Sequence, residues 1–286
     1  MTLNWYLDSD GESHRLHSTM GWTSDVFRDV ELPADDLITL GTIDAAALNL
    51  AVEEIIRALQ ALPDVGEAGV ELLHLASGDR DGTEYLTVCG KTAHAAASRA
   101  LPWTPRRERP QFHGAATPES LEALHGAAGS TKLLLGADED WTATLVLAGA
   151  ADTHRAQLAR DHLGDPPLRL IEGDSLISCT LERDPFTHLV TRIAADQNLT
   201  LALVPGRVII RSADGPVGTL EAETTGAPQQ ATVPAGRLAA GLHALPVGVH
   251  QLYLSLFDDQ ENPTVRLDDP RIEARFSVLS SGWRYR

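Results

Sequence analysis

Cysteine is nearly absent from this 286-residue chain. Only Cys89 and Cys179 occur, each inside an apolar, strand-like run. No disulfide framework can organise the fold, and two buried thiols in a reducing compartment are expected. Long apolar runs are missing as well: no stretch approaches the about 18 apolar residues of a membrane helix. The opening MTLNWYLDSDGESH has neither a basic n-region nor an apolar h-region, so it does not read as a secretory signal. A cytoplasmic location without membrane contact is the expectation. Positive charge is also scarce. Lys and Arg number 23 against 40 Asp and Glu, giving a net charge of −17. A uniformly acidic surface repels phosphates, which argues against a broad nucleic-acid or anionic-membrane face while leaving room for a local basic lining.

Reactive motifs are lacking too. Neither G-x-S-x-G nor H-E-x-x-H occurs, so hydrolytic chemistry has no support. Gly90-Lys91-Thr92 resembles the end of a phosphate loop, but Tyr85 stands where that loop needs its first Gly. Gly78–Gly82 lacks the alternating ligands and distal Glu of a calcium loop and reads as a turn. His14 and His17 have a metal-like spacing with no second pair nearby, and read as surface residues. Asn198-Leu199-Thr200 fits a glycosylation acceptor without a secretory context. No catalytic residue, metal or cofactor is assigned, and the chain is not read as an enzyme.

What is present is an alternation of amphipathic helices and short strands. Residues 1–41, with Trp5, Tyr6, Trp22 and Phe27 among many Asp and Ser, suggest one or two strands. Apolar residues at three- and four-residue spacing (Ala47, Leu50, Ala51, Ile55, Ala58, Leu59, Leu62) predict a helix over 42–62, capped by Thr42 and stopped before Pro63. Strands are predicted over 70–76 and 85–89. The Ala-rich run 93–101 is ambiguous between helix and strand, and is placed as a strand between its turns. The segment 103–111, rich in Arg and Pro, reads as a connector. A short strand at 112–115, a helix over 117–128 with Pro118 in its first turn, and a hairpin of 132–135 with 142–148 follow. Residues 161–167 read as a linker. Beyond it come a strand at 175–181, a helix over 184–195 capped by Asp184, strands at 199–204, 207–212, 219–225 and 231–233, a helix over 235–245, and strands at 250–257, 264–267 and 275–279.

Thr117–Gly136 can be laid over Val233–Leu256: each has a helix-opening Pro, a Leu-bearing amphipathic helix, a Gly or Pro break and an apolar strand. A duplicated domain explains this most simply. The expected fold is α+β: an N-terminal segment 1–41, then tandem modules 42–172 and 173–286. Each module is an antiparallel sheet with two helices on one face. Open edge strands would favour assembly with further copies.

The order of elements, with the stretches Leu86–Pro102, Phe112–Gly129, Leu158–Ile171, Pro185–Glu223 and Val233–Leu245, resembles the bacterial DNA polymerase III β sliding clamp superfamily. The similarity lies in the family's central and C-terminal domains and covers about residues 42–280. The family's Thr-Asp-Gly-His-Arg-Leu turn reads Lys91-Thr92-Ala93-His94-Ala95-Ala96 here, with only the His kept. The family's first domain has no evident counterpart. The resemblance implies a DNA-associated scaffold or processivity factor that recruits proteins. Its partner-peptide groove would fall near Leu73, Ala93, His94, Ala96, Leu168, Leu170 and Leu279, and its DNA-facing cations would be Arg57, Arg183, Arg192 and Arg237. Family rings hold six modules, so two per chain imply three chains. Against this, the four helix segments hold eight acidic residues and four basic ones. A self-repelling lining is a poor DNA channel. The alternative is a regulatory or assembly module that kept the clamp fold, does not encircle DNA, and binds a protein or small ligand.

Overall fold

The structure, a computed structural model of the chain, describes residues 3–9, 14–20, 30–32, 38–62, 70, 72–80, 83–92, 95–105, 113–127, 129–137, 143–150, 152–159, 175–245, 251–259, 262–269, 274–279 and 282–283. The chain forms two compact units. The first takes Met1–Glu53, Glu71–Val88 and Ala100–Pro166; the second takes Glu54–Val70, Cys89–Arg99 and Pro167–Arg286. The expected boundary at 172/173, the linker 161–167 and most of the 103–111 connector lie outside the described residues, as do Trp22 and Phe27.

The first unit opens with three strands where one or two were predicted. These are β1 (Leu3–Ser9), β2 (His14–Met20) and β3 (Val30–Leu32), in an antiparallel meander. β4 (Ile38–Asp44) then runs directly into α1 (Ala45–Gln60). Thr42, the predicted cap, is inside β4, paired with Lys132 and Thr104. Asp44 caps instead: its Oδ1 accepts from the Ala46 N–H at 3.0 Å and the Ala47 N–H at 3.4 Å, satisfying donors that a helix start leaves open. The buried stripe of α1 is Ala45, Leu48, Ala51, Val52, Ile55, Ala58 and Leu59. Leu50, placed on that stripe by its spacing, is 46% exposed, because it stands two residues, some 200°, from Leu48 around the helix.

β5 (Leu73–Arg80), β6 (Thr83–Lys91), β7 (Ala95–Pro105) and β8 (His113–Ala116) follow, β5 pairing with β6 and β8, and β6 with β7. The Ala-rich stretch is indeed a strand. α2 (Pro118–Glu122) is capped by Thr117, whose hydroxyl accepts from the Ser120 N–H, but it stops far short of 128. Past Glu122 the N–H groups of Leu124, His125 and Ala127 reach back only three residues, and Gly126 (φ +96°) turns the chain. β9 (Ser130–Ala137), β10 (Ala143–Ala148) and β11 (Thr153–Gln157) form a meander. β9 also pairs with β4, and the end of β4 pairs with Trp103–Pro105 of β7. At that crossing a Cβ on Gly41 would meet the Thr104 carbonyl at 2.6 Å, so only glycine fits.

The second unit contains β12 (Ile177–Glu182), α3 (Arg183–Thr191), β13 (Asn198–Val204), β14 (Arg207–Ser212), β15 (Gly215–Glu221), β16 (Glu223–Gly226), β17 (Gln229–Pro234) and α4 (Ala235–Ala244). β18 (Gln251–Asp259), β19 (Asn262–Asp269), β20 (Ala274–Leu279) and β21 (Gly282–Trp283) complete it. α3 begins at Arg183 after Glu182, with no side-chain cap bond, so Asp184 is a first-turn residue rather than the predicted cap. The strand predicted at 219–225 is two strands, broken where the Ala222 N–H donates to the Gly206 carbonyl at 3.1 Å. One sheet runs β20-β19-β18-β12-β16, with Ala95–Arg99 of β7 added beside β20. The other runs β15-β14-β13-β17-β21. Leu199, Leu201 and Leu203 alternate along β13 with more exposed neighbours and are fully buried, as are Leu252, Leu254 and Leu256 on β18. Each such leucine stabilises the fold by about 1.5–3 kcal/mol.

From β4 to β11 the order is strand, helix, four strands, helix, three strands. From β12 to β20 the same order recurs, with β15 and β16 together in the place of β7. Pairings correspond as well: β4 with β9 and β12 with β18, β5 with β8 and β13 with β17.

Replacing Asp44→Ala is expected to lower stability by about 1 kcal/mol, read as a shift in the urea midpoint with unchanged slope. Thr42→Ala, which removes no cap bond, shifts the midpoint less.

Candidate functional site

Two sets of residues were expected to matter, a helix lining and a peptide groove. Of the four helix cations, Arg183 is committed to the fold. Its Nη2 donates to the carbonyls of Leu242 at 2.8 Å and Leu245 at 3.3 Å, at the C-terminal end of α4. Those carbonyls carry the negative end of the helix dipole, so a half-buried guanidinium is well matched there. Arg57, exposed in the last turn of α1, and Arg237, half-buried in the first turn of α4, are each engaged with other groups. Arg192 is exposed and closes α3.

The acidic residues on these helices are more open. Glu119 and Glu122 on α2 and Asp184 on α3 are exposed, as is Asp196 beyond α3. Glu53 on α1 is 46% exposed, with His125 Nε2 3.9 Å from its Oε1. Glu54 is neutralised by an ion pair with Arg99 of β7 that the sequence did not reveal, and Glu53 is itself engaged. Burial lowers the Arg99 pKa, yet an arginine keeps its charge in a protein and the pair holds α1 to the strand. A lone Arg in an Ala-rich strand beside a Glu-bearing helix was the only available signal. A second unforeseen pair, Arg266 Nε to Asp268 Oδ2 at 2.9 Å, lies along β19.

Of the groove positions, Leu73 on β5 and Ala96 on β7 are buried, 0% and 1% exposed. Ala96 stands opposite Ser277 of β20, and Leu279 closes the same strand opposite Thr264. Ala93, His94, Leu168 and Leu170 lie outside the described residues. Cys89 and Cys179 are both free and buried. Among the described residues no three His, Cys, Asp or Glu side chains cluster as metal ligands, and no helix is long and apolar enough to cross a membrane.

This assembly of meanders and strand-to-helix transitions is the fold of a DNA sliding clamp. More particularly, many solved structures of bacterial DNA polymerase III β clamps superpose on it, bearing out the sequence resemblance at the level of fold. The Thermotoga maritima β subunit matches with a TM-score of 0.64 at 11% identity, over 97% of this chain and 76% of that one. The Caulobacter crescentus protein matches at 0.62 and 16%, over 96% and 76%. The Bartonella birtlesii clamp, solved with griselimycin bound, matches at 0.61 and 15%, over 96% and 76%. No protein-family model matches the sequence, and no curated protein does. Only 3–4% of the chain is left uncovered by these structures, far less than the 41-residue N-terminal segment. The likeness therefore extends into a segment that had been read as unmatched.

Arg183→Met is expected to lower stability by about 1–3 kcal/mol, because the terminal carbonyls of α4 lose a charged donor. Calorimetric melting checks this. Burial, partly offset by a hydrogen bond with the Leu254 backbone, pushes the Cys179 thiol up from 9.0 to about 12. The folded chain then keeps a proton that the unfolded chain releases. Stability is complete below pH 9 and declines as pH rises from 9 towards 12. Urea midpoints across that window check the sign, and Cys179→Ala flattens the decline.

Proposed function

We propose that this chain is a clamp-fold scaffold that holds protein partners and does not thread duplex DNA. The observation that carries it is the character of the helices: acidic side chains stand exposed, while Arg183 is spent on the end of α4 and Arg57 and Arg237 are engaged. A channel for DNA gains its affinity by neutralising phosphates, and cations held by other groups beside exposed carboxylates gain little. The two stretches β4–β11 and β12–β20 are read as copies of one module, close to 42–172 and 173–286. Shared order and pairing support this, as does the way the overlay of 117–136 on 233–256 sets α2-β9 against α4-β18. Peptide recognition is placed at Ala93, His94 and Ala96 around the β6–β7 connection, with Leu73, Leu168, Leu170 and Leu279 as further positions. The scaffold needs no reactive centre or cofactor, and acts in the cytoplasm.

A second reading is a DNA-encircling processivity factor, a homo-oligomer joined through sheet edges, with Arg57, Arg183, Arg192 and Arg237 facing the phosphates. The breadth of the likeness to polymerase III β clamps supports it.

Retention on closed circular against linear duplex of one sequence separates the two. The scaffold reading expects equal, weak retention at low salt. Circle-specific retention released by linearisation overturns it. On the protein side, short apolar peptides are expected to bind, and His94→Asp to weaken them. No peptide binding in the wild-type chain would remove the recognition site.

A further inference from the structure

The sheet β1-β2-β3 pairs only with itself: among the described strands, no ladder joins it to another sheet. Its register sorts its residues by face. Leu3, Trp5 and Leu7 of β1 fall in line with Leu16 and Met20 of β2 and with Val30 and Leu32 of β3, interrupted by Ser9, His14 and Ser18. The alternate positions hold Asn4, Tyr6 and Asp8, then Arg15, His17 and Thr19, then Glu31. One set is apolar and the other polar, and in the polar set Arg15 is register partner to both Asp8 and Glu31. Three strands with one apolar face are about the least that holds together in water, and burying that face is what stabilises them.

Outside its own sheet β1 lies mainly against β8, with Cα atoms of the two strands within 8 Å of one another. Sheets stacked face to face usually stand about 10 Å apart. The closer approach is possible because β8 reads His-Gly-Ala-Ala. β8 and its partner β5 are buried on both sides. Leu73, Leu75 and Ala116, on one face, are 0% exposed. His74, Ala76 and Ala115, on the other, are 5%, 2% and 5% exposed. Small residues around a histidine make a poor core by themselves, and their burial requires an element lying on them. β1 is the described strand beside them.

Five residues, Pro33-Ala34-Asp35-Asp36-Leu37, join β3 to β4. Fully extended they span at most roughly 16–18 Å, so a meander that lifts away stays next to β8. We propose that β1-β2-β3 is a removable cover over the β5–β8 strip: it lifts as a unit, opens the strip at His74, Ala76 and Ala115, and settles back. Packing rather than a ladder holds it, which is the mark of an element that opens at lower free energy than the rest of its unit. This goes beyond the scaffold reading and does not rest on it, since a cover opens whether or not peptides bind at His94.

Native-state hydrogen exchange of the full chain in low urea reads the opening directly. The amides of β1, β2 and β3 and of residues 114–116 are expected to exchange through one shared opening, with a weaker urea dependence than the amides of α1. Exchange of all of them together with α1, by global unfolding, would overturn the proposal. Two variants of the full chain then test the contact. Leu7→Thr with Leu16→Thr and Val30→Thr makes the apolar set polar with residues that still suit strands. It is expected to speed exchange at 114–116, and modification of His74 by diethyl pyrocarbonate, about tenfold while α1 keeps its protection. Tyr6→Thr with His17→Thr, in the polar set, is expected to change neither. Unchanged His74 reactivity in the first variant would overturn the cover. Loss of α1 protection there would overturn it too, by making the meander part of the core. No peptide enters these measurements, so the cover and the recognition site at His94 fail separately.

Discussion

Two long-range strand ladders hold everything else in place: β4 on β9 and β12 on β18. Each joins the strand that enters the first helix of its stretch to the strand that follows the second. In both, the helix starts at the end of the pairing strand, so the ladder fixes where the helix begins. This is why Asp44 caps α1, being the last residue of β4, still paired with Ser130. The next turn of backbone follows the same constraint, with the Ala45 N–H donating to the Gly129 carbonyl at 2.9 Å. Closing such ladders is entropically costly until the apolar faces they align are buried.

Much of this was legible in the sequence where one face of an element is buried and the other is wet. β12, β13 and β14 alternate cleanly, and their positions were readable to within a residue or two. The Ala-rich β7 was legible only from its flanking turns, because Ala favours neither period. β11 was not readable: as a short edge strand it buries only Ala156 of its five residues, too little for a pattern. α2 was overestimated because its apolar spacing continues past the point where three-residue hydrogen bonds tighten the chain. The caps of α1 and α3 were misplaced by two residues each, since several polar residues near each helix start could serve and only the strand ladder selects one.

The site was less legible than the fold. Arg183 looked like a surface cation in the sequence, and no local pattern announces that it reaches about sixty residues along the chain to the end of α4. Glu54 looked like one more unfavourable charge, yet Arg99 neutralises it. A sequence count of helix charge therefore sums charges whose settings differ residue by residue. Fold and electrostatic purpose are separable: packing keeps the clamp architecture at 11–16% identity, while the helix charges are free to drift.

The junction of β7 with β20 sets a condition on biosynthesis. Ala95–Arg99 leaves the ribosome well over a hundred residues ahead of Ala274–Val278, the strand that completes it. Until β20 has been synthesised, the edge of this small-residue strand that it covers has no partner from its own chain. Nascent polypeptides on a polysome pass through that stage side by side, where an unfinished strand of one can capture its neighbour.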